Sequence, residues 1–171
     1  MSMYPIASTT VNATTTISFT SIPQTFTHLQ LRISGGHSGG QAYSAMKFNN
    51  DTTYSNYYAH ELNANGSTAT SVSWAGSSYN GIMVASNGMG TNVYPGTTIW
   101  DILDYTNTNK NKTTRALIGY DANGSGMLYL SSGLWLSTSA INRIDITSSG
   151  LNFSNTRADL YGISTSNATG A

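Results

Sequence analysis

Alternation with a period of two runs through most of this chain. The clearest case is His28-Leu-Gln-Leu-Arg-Ile-Ser34, where Leu29, Leu31 and Ile33 share one face and His28, Gln30 and Arg32 the other. That is the pattern of a half-buried strand. Ile17 and Phe19 repeat it in residues 16–20, Met46 and Phe48 in 42–49, and Ala116 and Ile118 in 115–120. Over 127–136 the leucines Leu128, Leu130, Leu134 and Leu136 fall on one face, with Tyr129 and Trp135 on the other. Further strands are predicted at 141–147 and 158–163. The stretch 97–104 carries apolar residues at 99, 100, 102 and 103, a spacing that also suits a helical face. Its Ile and Thr content favours a bulged strand.

Turn signals separate these runs: Asn65-Gly66, Asn80-Gly81, Asn87-Gly88, Asn123-Gly124 and the Gly35-Gly36/Gly39-Gly40 stretch, read as a glycine loop that holds His37. Asn-Gly accepts the positive φ of tight hairpins. Many short strands punctuated in this way predict an all-β antiparallel sandwich. At 171 residues the chain suits a single domain, 1–171. Its ends, 1–5 and 165–171, read as short extended segments free to reach out as arms. The interval 50–95, rich in Ser, Asn and Gly, is the least regular. Its aromatics mark it as a folded elaboration of the sandwich.

Composition narrows the chemistry. Charged residues make up only 8%, seven Lys and Arg against seven Asp and Glu, so no basic stripe exists to neutralise phosphates. Nucleic acid is therefore not an expected partner. Nor is a membrane, since there is no basic amphipathic helix and no apolar run near the roughly 20 residues that span a bilayer. With no Cys there are no disulfides and no thiolate chemistry. Aromatics at 11%, including 11 Tyr, argue for an ordered core. The start, Met1-Ser-Met-Tyr-Pro5, lacks the charged and apolar regions of a signal peptide. A soluble product of a cytoplasm is expected.

No candidate constellation carries catalysis, and no catalytic, cofactor or metal residue is assigned. Asp121-Ala-Asn-Gly-Ser-Gly126 resembles the opening of a calcium loop, but position twelve is Ser132 where a bidentate Glu is needed. An Asn-Gly hairpin explains the same residues. His28, His37 and His60 have no ligand spacing. Asp101 and Asp104 are the only close carboxylates, and on a strand they point apart. Lys110 and Lys112 read as a solvated hairpin tip. The most suggestive feature is the aromatic set Tyr54, Tyr57, Tyr58, Trp74 and Tyr79. Such rings serve a second small core, a subunit contact or stacking on sugars.

Several segments resemble a group of tailed-bacteriophage virion proteins. They are Ile6-Ala-Ser-Thr-Thr, the run from Ile17 through Ser-Phe-Thr-Ser-Ile-Pro-Gln-Thr-Phe-Thr-His-Leu-Gln-Leu-Arg to Ile33, and Lys47-Phe-Asn-Asn-Asp51 with Tyr54-Ser-Asn-Tyr57. Ser132-Gly-Leu-Trp-Leu-Ser137, Ala140-Ile141 and Asp159-Leu-Tyr-Gly-Ile163 complete the pattern. The resemblance implies a jelly-roll-like sandwich and a place on the virion, the outer capsid surface being favoured. It implies a capsid decoration (cement) protein, a homo-oligomer with a trimer favoured, that bridges subunits of the major capsid protein. The other expectation it allows is a tail or fibre module that contacts host polysaccharide.

Overall fold

The computed structural model describes residues 1–40, 42–75, 81–84, 90, 91 and 93–164. Among the described residues twelve strands run β1 (Ser2–Val11), β2 (Thr16–Phe19), β3 (His28–His37), β4 (Ser44–Phe48), β5 (Tyr57–Ala64) and β6 (Ala69–Ala75) in the first half. They continue as β7 (Ile82–Val84), β8 (Gly96–Leu103), β9 (Lys112–Asp121), β10 (Gly126–Trp135), β11 (Ile144–Ser148) and β12 (Phe153–Ser164). A 3-10 turn, Tyr54–Asn56, leads into β5. The large sheet has the order β1-β12-β3-β8-β9-β10-β5-β6, the small one β2-β11-β4-β7, and every paired strand is antiparallel.

Two hairpins explain this order. Without β5–β6 and β9–β10, the remaining strands pair first with last: β1 with β12, β2 with β11, β3 with β8 and β4 with β7. A long antiparallel ribbon wound on itself into two layers gives this pairing, and it is a jelly roll. The two hairpins are insertions in the roll. Both add to the same side of it, lengthening the large sheet from four strands to eight.

The inward residues of the two sheets make one core. Ile17, Phe19, Met46, Phe48, Ile82, Ile144 and Ile146 descend from the small sheet. Leu29, Leu31, Ile33, Trp100, Ile102, Ile118, Ala158 and Leu160 meet them from the large one. The alternation read in the sequence is therefore the alternation of core and solvent. Strand β7 rests on the inserted hairpins at Gly133, where a Cβ would lie 2.4 Å from Ile82 Cγ2. Only glycine admits that approach.

Four expectations change, the first being that β8 keeps an unbroken register with β3 and β9 where a bulged strand was expected. Residues 2–5 are no free arm, because they open β1 and pair with residues 161–164 of β12. Pro5 fits there, on an edge strand and beside a bulge. The supposed glycine loop at 35–37 belongs to β3, and His37 is fully buried, stacked on Phe153 and hydrogen-bonded to Ser44. Burial pushes its imidazole below the ordinary value, against a raising backbone hydrogen bond with Gly90. Lys112 is also buried, not solvated. Its Nζ donates to the carbonyls of Asn107, Lys110 and Thr138 at 2.6, 3.0 and 3.0 Å. The segment 165–171 lies outside the described residues.

Candidate interaction face

The large sheet has an inner face in the core and an outer face in solvent. Strand register carries one outer row across all eight strands: Ser8, Asp159, Arg32, Ile99, Leu117, Leu130, Leu62 and Ser71, each opposite the next. The row changes character halfway. On the roll strands β1, β12 and β3 it is polar and charged. On β8 and the inserted hairpins it is an aliphatic ladder of Ile99, Leu117, Leu130 and Leu62, each 44–54% exposed. Leu128, 54% exposed, lies beside it over Gly119. Burying such a side chain stabilises a fold by about 1.5–3 kcal/mol. A contiguous row left half in water therefore marks an interaction surface.

The next row holds Tyr161, Gln30, Asp101, Arg115, Ser132, His60 and Ser73. Gln30 donates to Asp101 Oδ1 at 2.8 Å, Arg115 Nη2 to Asp101 Oδ2 at 2.9 Å, and Arg32 Nε to Gln30 Oε1 at 2.9 Å. Arg32 also lies over the Tyr161 ring, 5.4 Å from its centroid. Arg157 pairs with Asp159 at 3.0 Å. Burial works to raise the Asp159 carboxyl, but hydrogen bonds from Ser8 and Arg157 and the Arg32 charge hold it below its ordinary value. Arg115 and Arg157 are each paired with a carboxylate, and Arg32 is the one cation of these rows without an ion pair, so the net charge of the face is small. Beside the ladder, His60, Leu62, Ser71, Ser73, Arg115 and Leu130 border a shallow groove of about 590 Å³.

The aromatic set does not gather on one surface. Tyr54 is exposed on the 3-10 turn. Tyr57 is a core residue, 2% exposed, stacked on Trp135 and hydrogen-bonded to the backbone of Phe48 and Asp51. Tyr58 is half-buried, opposite Leu134, and Trp74 packs against the core from β6. Tyr79 lies outside the described residues. Sugar stacking by Tyr57 is thereby corrected: its ring is closed off by the β4–β5 connection that it holds.

Asp101 and Asp104 are engaged separately and flank no cleft. Asp101 takes Gln30 and Arg115, while Asp104 bonds Lys110 and lies 3.4 Å from His28 Nδ1. Lys110 holds the Asp104 carboxyl below its ordinary value against partial burial, with His28 adding to the effect. Asp121–Gly126 is a hairpin, closed by Ala122 and Ser125 across Asn123 (φ 58°) and Gly124 (φ 93°). Among the described residues no three His, Asp or Glu side chains gather as a metal ion would require.

The aliphatic ladder was not singled out from sequence. The signal was present in residues 127–136, apolar on both faces of one strand. Such a strand is either sandwiched between layers or exposed on an adhesive face. Here Tyr129 and Trp135 face the core and Leu128 and Leu130 face water. A second residue, Glu61, faces inward from β5 between Ser131 and Val72. It is 3% exposed, and burial raises its carboxyl despite a 3.2 Å hydrogen bond from Asn63.

No family model matches the chain, and neither does any curated protein. Among solved structures, an exo-inulinase from Aspergillus awamori is similar over 94% of this chain and 29% of its own, at 14% identity and a TM-score of 0.37. An aerolysin-like protein from Bombina maxima covers 91% of this chain and 88% of its own, at 8% identity and a TM-score of 0.13. Neither likeness is close enough to carry an argument.

Proposed function

We propose that this chain is a non-enzymatic structural protein of a tailed-phage virion, a decoration protein that self-associates and bridges major capsid protein subunits on the outer shell. The observation that carries the reading is the aliphatic ladder on a sheet face of small net charge. A surface of this kind adheres to another flat protein surface, and a chain of zero formal net charge lets many copies crowd together. The resemblance of the Lys47–Asp51, Ser132–Ser137 and Asp159–Ile163 segments to virion proteins supports the same reading. A ligand that binds only the assembled lattice stabilises it by its binding free energy.

Quantitative mass spectrometry of purified virions tests this directly. A copy number on the scale of the major capsid protein is expected, and shells stripped of the protein should rupture at lower temperature. A handful of copies per particle, together with binding to host polysaccharide, would replace it with the tail or fibre reading. Absence from virions would end both.

A further inference from the structure

We propose that the aliphatic ladder is closed by a second copy of this chain, the two large sheets packing face to face about a two-fold axis. The axis runs parallel to the strands along the seam between β9 and β10. Every pairing then follows from the register. Leu117 meets Leu130 of the second copy, and Ile99 meets its Leu62. In the adjoining row Asp101 faces His60 of the second copy, and Arg115 faces its Ser132. In the row on the other side Leu128 faces Gly119, a side chain over a gap.

Three observations favour this occupant. The first is position. The seam divides β3-β8-β9 from β10-β5-β6, so the axis superposes six strands of one sheet on six of the other. At about 4.8 Å per strand and about 3.3 Å per residue, this overlap measures about 29 Å by about 27 Å. That is on the order of the 800 Å² per partner of a stable interface. The second is charge. The operation sets no cation against a cation and no carboxylate against a carboxylate. It brings the exposed His60 imidazole to the Asp101 carboxylate, which Gln30 and Arg115 already hold within its own chain. The third is contrast along the face. The polar row of β1, β12 and β3 continues beyond the six strands on β1 and β12, so those residues remain in water when the ladder is covered. Aligned sheets of native twist pack about 10 Å apart at roughly 30°, which aliphatic side chains of this length fill.

The pairing does not rest on the virion reading, and its test uses only the purified full-length chain. Sedimentation equilibrium should give twice the 18.2 kDa chain mass. Leu130→Glu, at a solvent-facing position, should leave the far-UV circular dichroism unchanged and weaken the dimer by at least ~100-fold, since it buries an unpaired charge. Thr10→Glu, exposed on the overhanging β1, should leave the dimer intact. The chain has no native Cys, so in a mixture of Ile99→Cys and Leu62→Cys chains a short bis-maleimide should cross-link the two variants to each other, a readout that survives any misfolding of the Leu130 variant. A monomer at every concentration overturns the proposal. So does a trimer, or a dimer that Leu130→Glu leaves unchanged, and both of those outcomes leave the virion reading standing.

Discussion

At the scale of single residues, the segment Lys47–Tyr57 is a lock on the opposite end of the sandwich. Asp51 accepts hydrogen bonds from Trp135 Nε1 at 2.7 Å, Asn56 Nδ2 at 2.8 Å and the Thr53 amide at 2.9 Å. Its partial burial acts to raise the carboxyl, and these donors outweigh it and hold the group below its ordinary value. Asn49, at φ 51°, donates to the Ala140 carbonyl and accepts from the amides of Asn142 and Arg143. Asp51→Ala should therefore cost about 2–3 kcal/mol in urea unfolding, the scale of hydrogen bonds to a charged group plus a stranded indole. Glu61 gives the opposite sign. Its carboxyl is raised, so the fold favours the protonated form. That contribution is complete below the unfolded value and is lost as pH rises through the folded one. Glu61→Gln should melt higher than the parent at pH 8 and level with it at pH 4. A lower melt at pH 8 would show that the charged form is accommodated. Sequence could show that 47–57 is a motif but not that it clamps, because its partners lie more than 80 residues away.

At the scale of elements, period-two alternation located strands well wherever one face is core, as at Ile17/Phe19, Leu29/Leu31/Ile33 and Ala116/Ile118. It failed at β1, which is an edge strand with little buried on either side. There Met3, Tyr4 and Pro5 read as a tail. It also under-read β5 and β6, whose Ser, Asn and His positions face solvent across from a partly polar interior. Turn chemistry had a mixed record: Gly35-Gly36 lies inside β3, and Asn80, Asn87 and Gly88 lie outside the described residues. Asn123-Gly124 does what an Asn-Gly pair predicts, with both residues at positive φ. Gly124→Val should lower stability by about 1–2 kcal/mol through strain in the left-handed region. Because this hairpin aligns Leu117 with Leu130, the same variant should also weaken self-association.

At the scale of the whole molecule, an antiparallel sandwich was legible from residue types, whereas the roll and its two insertions were not. Periodicity assigns a face to each residue but no neighbour to a strand. The extension of the large sheet is decided by where β5–β6 and β9–β10 attach, and both attach on the β8 side. This is also why the ladder escaped notice. Ile99, Leu117, Leu130 and Leu62 come from four separate strands and become one row only in the folded sheet.

The winding of the ribbon sets the tempo at which the chain reaches its native state. The partnerships β1–β12 and β2–β11 join opposite ends of the molecule, and each must close a loop of more than a hundred residues before it gains anything. The β5–β6 and β9–β10 hairpins need no such search and can zip within microseconds. Stopped-flow refolding should therefore place the slow phase, in milliseconds to seconds, at the joining of the two termini. Until that moment the leucine-bearing hairpins stand ready while the rest of the large sheet is unmade. Crowded refolding should accordingly lose more material to clumping than dilute refolding, and Leu130→Glu should relieve that loss.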